Sequence, residues 1–397
     1  MQKSITRIGE LEKKYVLEAL SNEFRSSLNS VFCAKLERAF AERFRCEYAI
    51  SHVNGTATLH TALAALGVGP GDEVIVPPLT MSSPAISVLQ NGSIPVFADV
   101  DPNTFNIDAK SIRKVITPKT KAIMTVALYG LPPDYDAILE ICRENNLGLI
   151  EDNAECFLGE YKGRLAGEIG HFASFSFQAS KHMTCGEGGI LTCNDKDLAD
   201  KARKFSSLGY ASVDAKKGKI SKDDIQDPNY NRHGSLGFNY RMSEVQAAVA
   251  LGQLERLEEL VGIRLETAKY FDEAIAGSEF LRKQEEPSGY KNSYWAYSLV
   301  LQTKEPKKDW YRFRELFKKN GGDPYYAAWK LSYTEPLFQN EIQNKPGVWQ
   351  KYNEGLCPNA EFLQPRMIQL KTNYWDLGEA KAQAEVLRKT IKEYDSK

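Results

Sequence analysis

The sequence lacks the features that mark membrane proteins, disulfide-linked domains, zinc sites and nucleic-acid-binding proteins. No apolar stretch approaches the roughly 18 residues of a membrane span, and the charged N-terminus lacks the apolar segment of a signal peptide. The seven cysteines are scattered without CxxC spacing, and 51 Lys and Arg residues nearly cancel 52 Asp and Glu residues. We therefore expect a cytoplasmic protein with reduced thiols that binds no metal, no nucleic acid and no membrane.

What the sequence does contain is an alternation of strand-like and helix-like segments. The chain has 397 residues, enough for two domains. Short runs rich in Val, Ile and Phe alternate with helical patterns, which predicts an α/β domain with a mostly parallel sheet. The runs are Glu73–Pro77, Pro95–Val100, Ala122–Ala127, Leu147–Glu151, Ala173–Phe177 and Gly189–Cys193. We predict a large α/β domain over residues 1–255, including an N-terminal helical segment, and a smaller C-terminal α+β domain over residues 256–397.

Three further segments carry specific predictions. Residues 242–275 have the pattern of one long amphipathic helical stretch, and a helix is predicted to end at Gly321. The polar segment Ala211–Gly234 contains few large apolar residues and is predicted to be a long loop. Loops of that length in compact enzymes are often functional.

Two segments that follow predicted strands have residues suited to binding an anion and a ring nitrogen. Gly55 and Thr56 follow the strand-like Tyr48–Val53 and open a helix, whose first N–H groups and dipole favour an anion. Asp152 ends another strand, at the sheet edge where ligands of parallel sheets bind. Each pattern is also that of an ordinary helix start or strand end, so neither is decisive alone.

The segment from Ser174 to Gly189 carries the strongest signal. An aromatic strand delivers Lys181 into a run of small polar residues and glycines. Burying a lysine is costly unless it is paired or neutral, and the neutral amine is the form that makes a Schiff base. A surface lysine at a strand end is the alternative. A fourth segment, Leu236–Ser243, carries Asn239 and Arg241 just ahead of a helix, where they could equally be a helix flank.

In this order and at these separations, the segments resemble the DegT/DnrJ/EryC1/StrS family of sugar aminotransferases. The resemblance covers nearly the whole chain, and the strand, lysine and GEGG arrangement is its most specific part. It rests on Ile8–Glu12, GPGDEVIVP, PVFADVDPNTFNID, FSFQASKHMTCGEGG and GFNYRM. It implies the fold-type-I architecture of enzymes that use pyridoxal 5'-phosphate (PLP), with pyridoxamine 5'-phosphate as the alternate cofactor form.

The resemblance also implies roles for individual residues. Lys181 matches the lysine that forms the Schiff base with PLP, and Asp152 matches the acid paired with the pyridine nitrogen. The residues that match phosphate-binding positions are Gly55, Thr56, Ala57, Ser176 and Asn239. Asn239 would reach the phosphate from the neighbouring subunit, which implies a homodimer with shared active sites. Arg241 would receive the carboxylate of the amino donor, because its planar fork can bond both oxygens.

Two positions and one loop depart from the common family pattern. Met81 stands where many members carry an aromatic residue that stacks on the cofactor ring. Glu155 stands where Gln or His is frequent, although some members, including perosamine-type synthases, have Glu. The loop Ala211–Gly234 is longer than usual, so it could contact the acceptor.

The resemblance implies an aminotransferase that moves an amino group from glutamate to a keto-sugar, which would be linked to a nucleotide. The product would be an amino-sugar for surface polysaccharide or natural-product synthesis. Glutamine as donor and a cyclitol ketone as acceptor stay open. A pyridoxamine-phosphate-dependent sugar 3-dehydratase is a weaker alternative, because that branch typically replaces the lysine with histidine and this chain has Lys181. A regulator that merely binds PLP is weaker still, because no basic DNA-binding module is evident.

Overall fold

The computed structural model describes residues 4–22, 31–217 and 220–395. Strands and helices alternate through the first half of the chain, as the hydrophobic runs predict. The strands there are β1 Tyr48–His52, β2 Glu73–Val76, β3 Ile94–Phe97, β4 Thr120–Val126, β5 Gly148–Asp152, β6 Glu160–Tyr161, β7 Arg164–Leu165, β8 Phe172–Ser176 and β9 Gly189–Cys193. The helices are α1 Glu10–Ser21, α2 Val31–Arg43, α3 Gly55–Ala65, α4 Ser83–Gln90, α5 Ala109–Val115, α6 Tyr135–Asn145, α7 Lys196–Phe205, α8 Lys222–Gln226, α9 Glu244–Glu255 and α10 Leu257–Ile275.

Within the described residues, a seven-stranded sheet has the order β1-β9-β8-β5-β4-β2-β3. Its strands are parallel except β9, which runs antiparallel to both β1 and β8. Strands β2, β3, β8 and β9 are buried along their whole length, as both-sided coverage by helices requires. The predicted mostly parallel α/β fold is confirmed.

The C-terminal part builds a small antiparallel sheet covered by helices. The C-terminal part contains β10 Leu281–Lys283, β11 Tyr290–Lys291, β12 Ala296–Leu301, β13 Met367–Lys371, α11 Pro306–Lys319, α12 Pro358–Leu363 and α13 Leu377–Asp395. Strand β11 pairs with β6 and not with the small sheet. The sheet order is β10-β12-β13, and α13 packs against α10 and α11. Helix α11 ends just before Gly321, whose φ of 93° is the left-handed conformation that stops a helix. The division of the chain at residue 255 stays a prediction.

The stretch 242–275 is helical but is not one continuous helix. It breaks at Arg256, which has φ −106° and ψ 11°. The Arg256 guanidinium donates to the carbonyl of Arg7 and, at 2.8 Å, to the carboxylate of Glu12. Because Glu12 is buried beneath it, the break is tied to the packing of α1 against α9, which no local pattern reveals.

The segment Ala211–Gly234 is largely irregular, as predicted, but it contains the short helix α8. Ser221 and Asp224 form a capping box at the start of that helix. Backbone bonds close the base of the segment, from Ala211 N–H to the Arg232 carbonyl at 2.9 Å and from Gly234 N–H to the Gly209 carbonyl at 2.8 Å. Across the described residues, no helix combines the length and the apolar character that crossing a bilayer demands.

Candidate active site

The carboxyl ends of the central strands bring most of the predicted cofactor residues to one cavity of about 900 Å³. The start of α3 follows β1, Asp152 ends β5, and Ser176 ends β8 with Lys181 five residues beyond it. Since parallel strands share one carboxyl edge, residues far apart in sequence meet there. Five of these residues line the cavity together, namely Gly55, Thr56, Asp152, Ser176 and Lys181. We call these five residues the cofactor side.

The start of α3 packs directly on the end of β8. A Cβ placed on Gly55 would lie 2.8 Å from the Cβ of Ser176, so only glycine allows this approach. The Thr56 hydroxyl lies 3.0 Å from the Ser83 hydroxyl. The first N–H groups of a helix have no intrahelical acceptor, so the arrangement suits an anion such as a phosphate. Ala57 differs, because it does not line the cavity and its N–H is donated to the Asn54 side chain at 2.8 Å.

Asp152 lines the cavity but is almost fully buried, with 6% of the residue exposed. Its Oδ1 accepts the N–H of Ala154 at 3.0 Å. Burial raises the pKa of its carboxyl to about 6, against the opposing effects of the Ala154 N–H and the nearby charge of Lys181. A buried carboxylate of this kind gains from a protonated ring nitrogen placed against it.

The amine of Lys181 lies between a carboxylate and an aromatic ring. Its Nζ is 3.2 Å from Oε1 of Glu155 and 4.5 Å from the ring centre of Trp295. Oε2 of Glu155 accepts the backbone N–H of Tyr129 at 3.0 Å. The Lys181 side chain is 13% exposed and that of Glu155 is 4% exposed, so the pair is shielded from most solvent.

A buried arginine, Arg264, binds the backbone on both sides of the lysine. Its guanidinium donates to the carbonyl of Lys181 at 3.2 Å, of Ser180 at 3.3 Å and of Trp295 at 2.8 Å. It also donates to the Thr372 hydroxyl at 3.0 Å. Burial lowers the pKa of Arg264 to about 9. Arg264 therefore links the lysine segment to the C-terminal part of the chain.

Three aromatic residues from the C-terminal part also line the cavity, namely Trp295, Tyr326 and Trp329. We call these three residues the aromatic wall. The rings of Trp295 and Trp329 are nearly parallel, with centres 5.8 Å apart, and both are nearly parallel to that of Tyr129. Sequence analysis named none of these three side chains. The scarcity of tryptophan, five in the chain, is the signal that could have drawn attention to them.

Met81 and Glu155, the two unusual positions, both line the cavity. Met81 is 48% exposed, and its sulfur accepts the N–H of Ser83 at 3.2 Å and the Ser83 hydroxyl at 3.1 Å. That placement suits contact with a ligand at the cavity edge. Coverage of a cofactor ring by Met81 stays a prediction.

Asn239 and Arg241 do not reach the cavity of their own chain. Both are exposed, and the Arg241 guanidinium lies 5.9 Å from the ring centre of Tyr210. The neighbouring Leu236 is 80% exposed. Their predicted roles therefore depend on a second subunit.

With this geometry established, sequence comparison identifies related proteins. Residues 6–386 match the model of the DegT/DnrJ/EryC1/StrS aminotransferase family. A GDP-perosamine synthase from Caulobacter vibrioides is 41% identical over 298 residues, which cover 74% of this chain and 76% of that protein. A GDP-perosamine synthase from Escherichia coli O157:H7 is 35% identical over 359 residues, covering 90% of this chain and 89% of that protein.

Structural comparison agrees. The crystal structure of an aminotransferase from Psychrobacter cryohalolentis superposes with a TM-score of 0.84 at 30% sequence identity. The alignment covers 100% of this chain and 98% of that one.

Proposed function

Because the chain belongs to the DegT/DnrJ/EryC1/StrS family of PLP-dependent aminotransferases, we propose that it moves an amino group from glutamate to the ketone carbon of a nucleotide-linked sugar. The observation that carries this proposal is one cavity that is lined both by Lys181 and Asp152 and by the aromatic wall. The similarity to GDP-perosamine synthases supports a nucleotide-linked acceptor.

The residues present fit PLP group by group. The start of α3 and Ser176 suit the phosphate, the buried carboxylate of Asp152 suits the ring nitrogen, and Lys181 suits the aldehyde. The cavity volume of about 900 Å³ accommodates the cofactor together with a substrate. When bound, PLP supplies an aldehyde that takes up the amino group and a protonated ring that accepts electrons.

Each residue of the cofactor side then has a defined task. Asp152 holds a proton at the ring nitrogen, because its buried carboxylate is stabilised by a positive charge next to it. Lys181 would take a proton from the carbon that bears the amino group and return it to the carbon on the other side of the amino nitrogen. The N–H groups of Gly55 and Thr56 and the Ser176 hydroxyl bind the phosphate, which keeps the cofactor in place when Lys181 is released from it.

The aromatic wall supports a sugar as acceptor. The C–H faces of a sugar ring are apolar and pack on flat aromatic side chains, while its hydroxyls need polar partners. Trp329 and the 71% exposed Tyr326 present such faces at the open side of the cavity. Gln369 and Asn373 line the same region with amide groups.

The proposal includes a homodimer in which Asn239 and Arg241 complete the site of the partner. Both side chains are exposed, and they follow the apolar Leu236, whose exposure is costly in an isolated chain. Mixing an inactive Lys181→Ala chain with an inactive Asn239→Ala chain tests this. Subunit exchange should restore about a quarter of wild-type activity, as random pairing with one intact site per mixed dimer predicts. No recovery after exchange would contradict shared sites.

The central test has two parts. Borohydride reduction of the holoenzyme should leave a pyridoxyl group on residue 181, found by peptide mass spectrometry. Enzyme loaded as pyridoxamine phosphate is then offered nucleotide-linked keto-sugars and cyclitol ketones, and return of the PLP absorbance identifies the acceptor. An adduct absent from residue 181 would overturn the assignment of the lysine. A response to cyclitol ketones alone would overturn the nucleotide-sugar acceptor.

A further inference from the structure

The amine of Lys181 contacts two side chains of the cavity. Nζ is 3.2 Å from the carboxylate of Glu155 and 4.5 Å from the ring centre of Trp295. We propose that Glu155 and Trp295 form a binding site for the Lys181 ammonium that exists between the two proton transfers, after Nζ has taken up a proton and before Nζ returns it. The catalytic meaning of this site rests on the proposed function, but the site itself is a property of the protein alone.

Glu155 is held in place from behind. Its second oxygen accepts the backbone N–H of Tyr129 at 3.0 Å, and the residue is 3% exposed. Tyr129 has φ 61°, a left-handed conformation that a non-glycine residue adopts only where the surroundings impose it. Its hydroxyl accepts from the Gln369 side chain at 3.0 Å, which fixes the ring end as well. The carboxylate therefore has one orientation, with one oxygen aimed at Nζ.

Trp295 is held with equal precision. Its indole N–H donates to the Ser180 carbonyl at 2.9 Å, one residue before the lysine. Arg264 donates to the carbonyls of both Trp295 and Lys181, at 2.8 and 3.2 Å. The lysine backbone and the indole are thus bonded to each other and to a common third group, which fixes the ring relative to the amine.

Both groups favour the charged form of the amine. A carboxylate within hydrogen-bond distance stabilises an ammonium, and the face of an indole ring attracts it through the ring quadrupole. The other ionisable groups around Lys181 are Asp152, His182, Arg264 and Arg7. Of these, Arg264 and Arg7 oppose the ammonium and Asp152 favours it. Glu155, Trp295 and Asp152 therefore act together against the two arginines, and only Glu155 is hydrogen-bonded to the amine.

The consequence is retention of a proton. A proton that Nζ takes up is held on Nζ until it is returned, because the ammonium is paired with Glu155 and covered by Trp295. The shielded position also limits exchange of that proton with water, since the side chain is 13% exposed. Glu155 and Trp295 are positioning residues in this scheme, and the proton is carried by Lys181.

The site can be measured in cofactor-free enzyme. Deuterated formaldehyde with cyanoborohydride labels neutral amines, and peptide mass spectrometry reports the labelling rate at residue 181. At neutral pH, Glu155→Gln should raise that rate by at least about tenfold, because the carboxylate no longer stabilises the ammonium. Trp295→Leu should raise it about threefold, and Trp295→Phe less, since a smaller ring still binds a cation.

Matched controls separate a charge effect from altered access. Glu160 pairs with Lys291 at 2.9 Å on the surface, so Glu160→Gln should leave labelling of residue 181 unchanged, as should Trp349→Phe at a 45% exposed position. In strongly alkaline buffer all amines are neutral, and the rates of wild type, Glu155→Gln and Trp295→Leu should converge. Glu155→Asp keeps a carboxylate and should restore part of the protection.

Two outcomes would overturn the ammonium site. One is a Glu155→Gln rate equal to wild type at neutral pH, and the other is an excess rate that persists in alkaline buffer, which would mean that Glu155 merely blocks the reagent. Borohydride reduction of each holoenzyme variant is a separate readout. A missing pyridoxyl adduct in wild type would refute the proposed function and leave the labelling result standing.

Discussion

The cofactor side and the aromatic wall of the cavity are built in different ways. The cofactor side comes from residues 55–181, which follow or end the strands β1, β5 and β8 of the central sheet, where β5 and β8 are neighbours. The aromatic wall comes from residues 295–329 of the C-terminal part, where Tyr326 and Trp329 lie in an irregular segment. In the proposed function, the chemistry of amino transfer resides on the regular scaffold, and the recognition of the acceptor resides on loops that can vary without altering that scaffold.

The largest effect is expected on the cofactor side. Lys181→Ala should lower turnover by at least about a thousandfold, because it removes the group that takes and returns the proton. Steady-state assays with the acceptor found by the screen measure this. Lys291→Ala, which removes an exposed lysine, should be as active as wild type. Turnover of the Lys181→Ala protein within tenfold of wild type would place the chemistry elsewhere.

Asp152→Asn should lower kcat by about a hundredfold, because a neutral amide does not stabilise a protonated ring nitrogen. Both half-reactions should slow, since each needs the same electron-accepting ring. Stopped-flow absorbance of the two half-reactions measures the effect. A slow donor step with a normal acceptor step would contradict a role in both.

The raised pKa of Asp152 adds a pH dependence. Its pKa is about 6 in the folded protein against 3.8 ordinarily, so the ionised carboxylate costs stability increasingly as pH rises from about 4 to 6. A protonated ring nitrogen relieves that cost. The rise in Tm on adding PLP should therefore be greater near about pH 7.5 than near about pH 5, and nearly constant in Asp152→Asn. Thermal denaturation with and without PLP measures this rise in Tm. An equal pH dependence in wild type and Asp152→Asn would show that Asp152 does not cause it.

On the aromatic wall, Trp329→Ala should raise KM for the acceptor by about tenfold through loss of a stacking surface. The half-reaction with glutamate should stay within about twofold of wild type, because Trp329 is not one of the residues of the cofactor side. Measuring the two half-reactions separately tests this division. A donor half-reaction slowed as much as the acceptor step would show that the two sides are not independent.

The smallest effect is expected at the cavity mouth. Tyr326→Ala should raise KM for the acceptor about threefold. Tyr326 is 71% exposed, so its removal loses less contact with the acceptor than removal of the half-buried Trp329. Tyr326→Phe should keep the wild-type KM if the ring face is what binds. A large effect of Tyr326→Phe would instead assign the binding to its hydroxyl.

The same contrast explains what the sequence could predict. The strands of the central sheet, and the meeting of Asp152, Ser176 and Lys181 in one cavity, were predictable because hydrophobic runs mark strands and parallel strands share a carboxyl edge. The roles of these residues came from the family resemblance and await the experiments above.

Features that depend on packing between distant segments were not predictable. The helix break at Arg256 follows from its bonds to Glu12 and Arg7, which lie more than 200 positions away in the chain. The place of β9 between β8 and β1 depends on pairing with β1, a strand far earlier in the chain. The contact of Trp295 with Lys181 depends on Arg264, a residue with no local motif.

One residue belongs to both sides of the cavity. Trp295 faces the amine of Lys181 and also stands beside Trp329 in the aromatic wall. Anyone redesigning this protein to accept a different ketone has free choice at Tyr326 and Trp329, whereas a change at Trp295 alters specificity and proton handling at once. Acceptor specificity can therefore change at Tyr326 and Trp329 with the amino-group chemistry conserved, but not at Trp295.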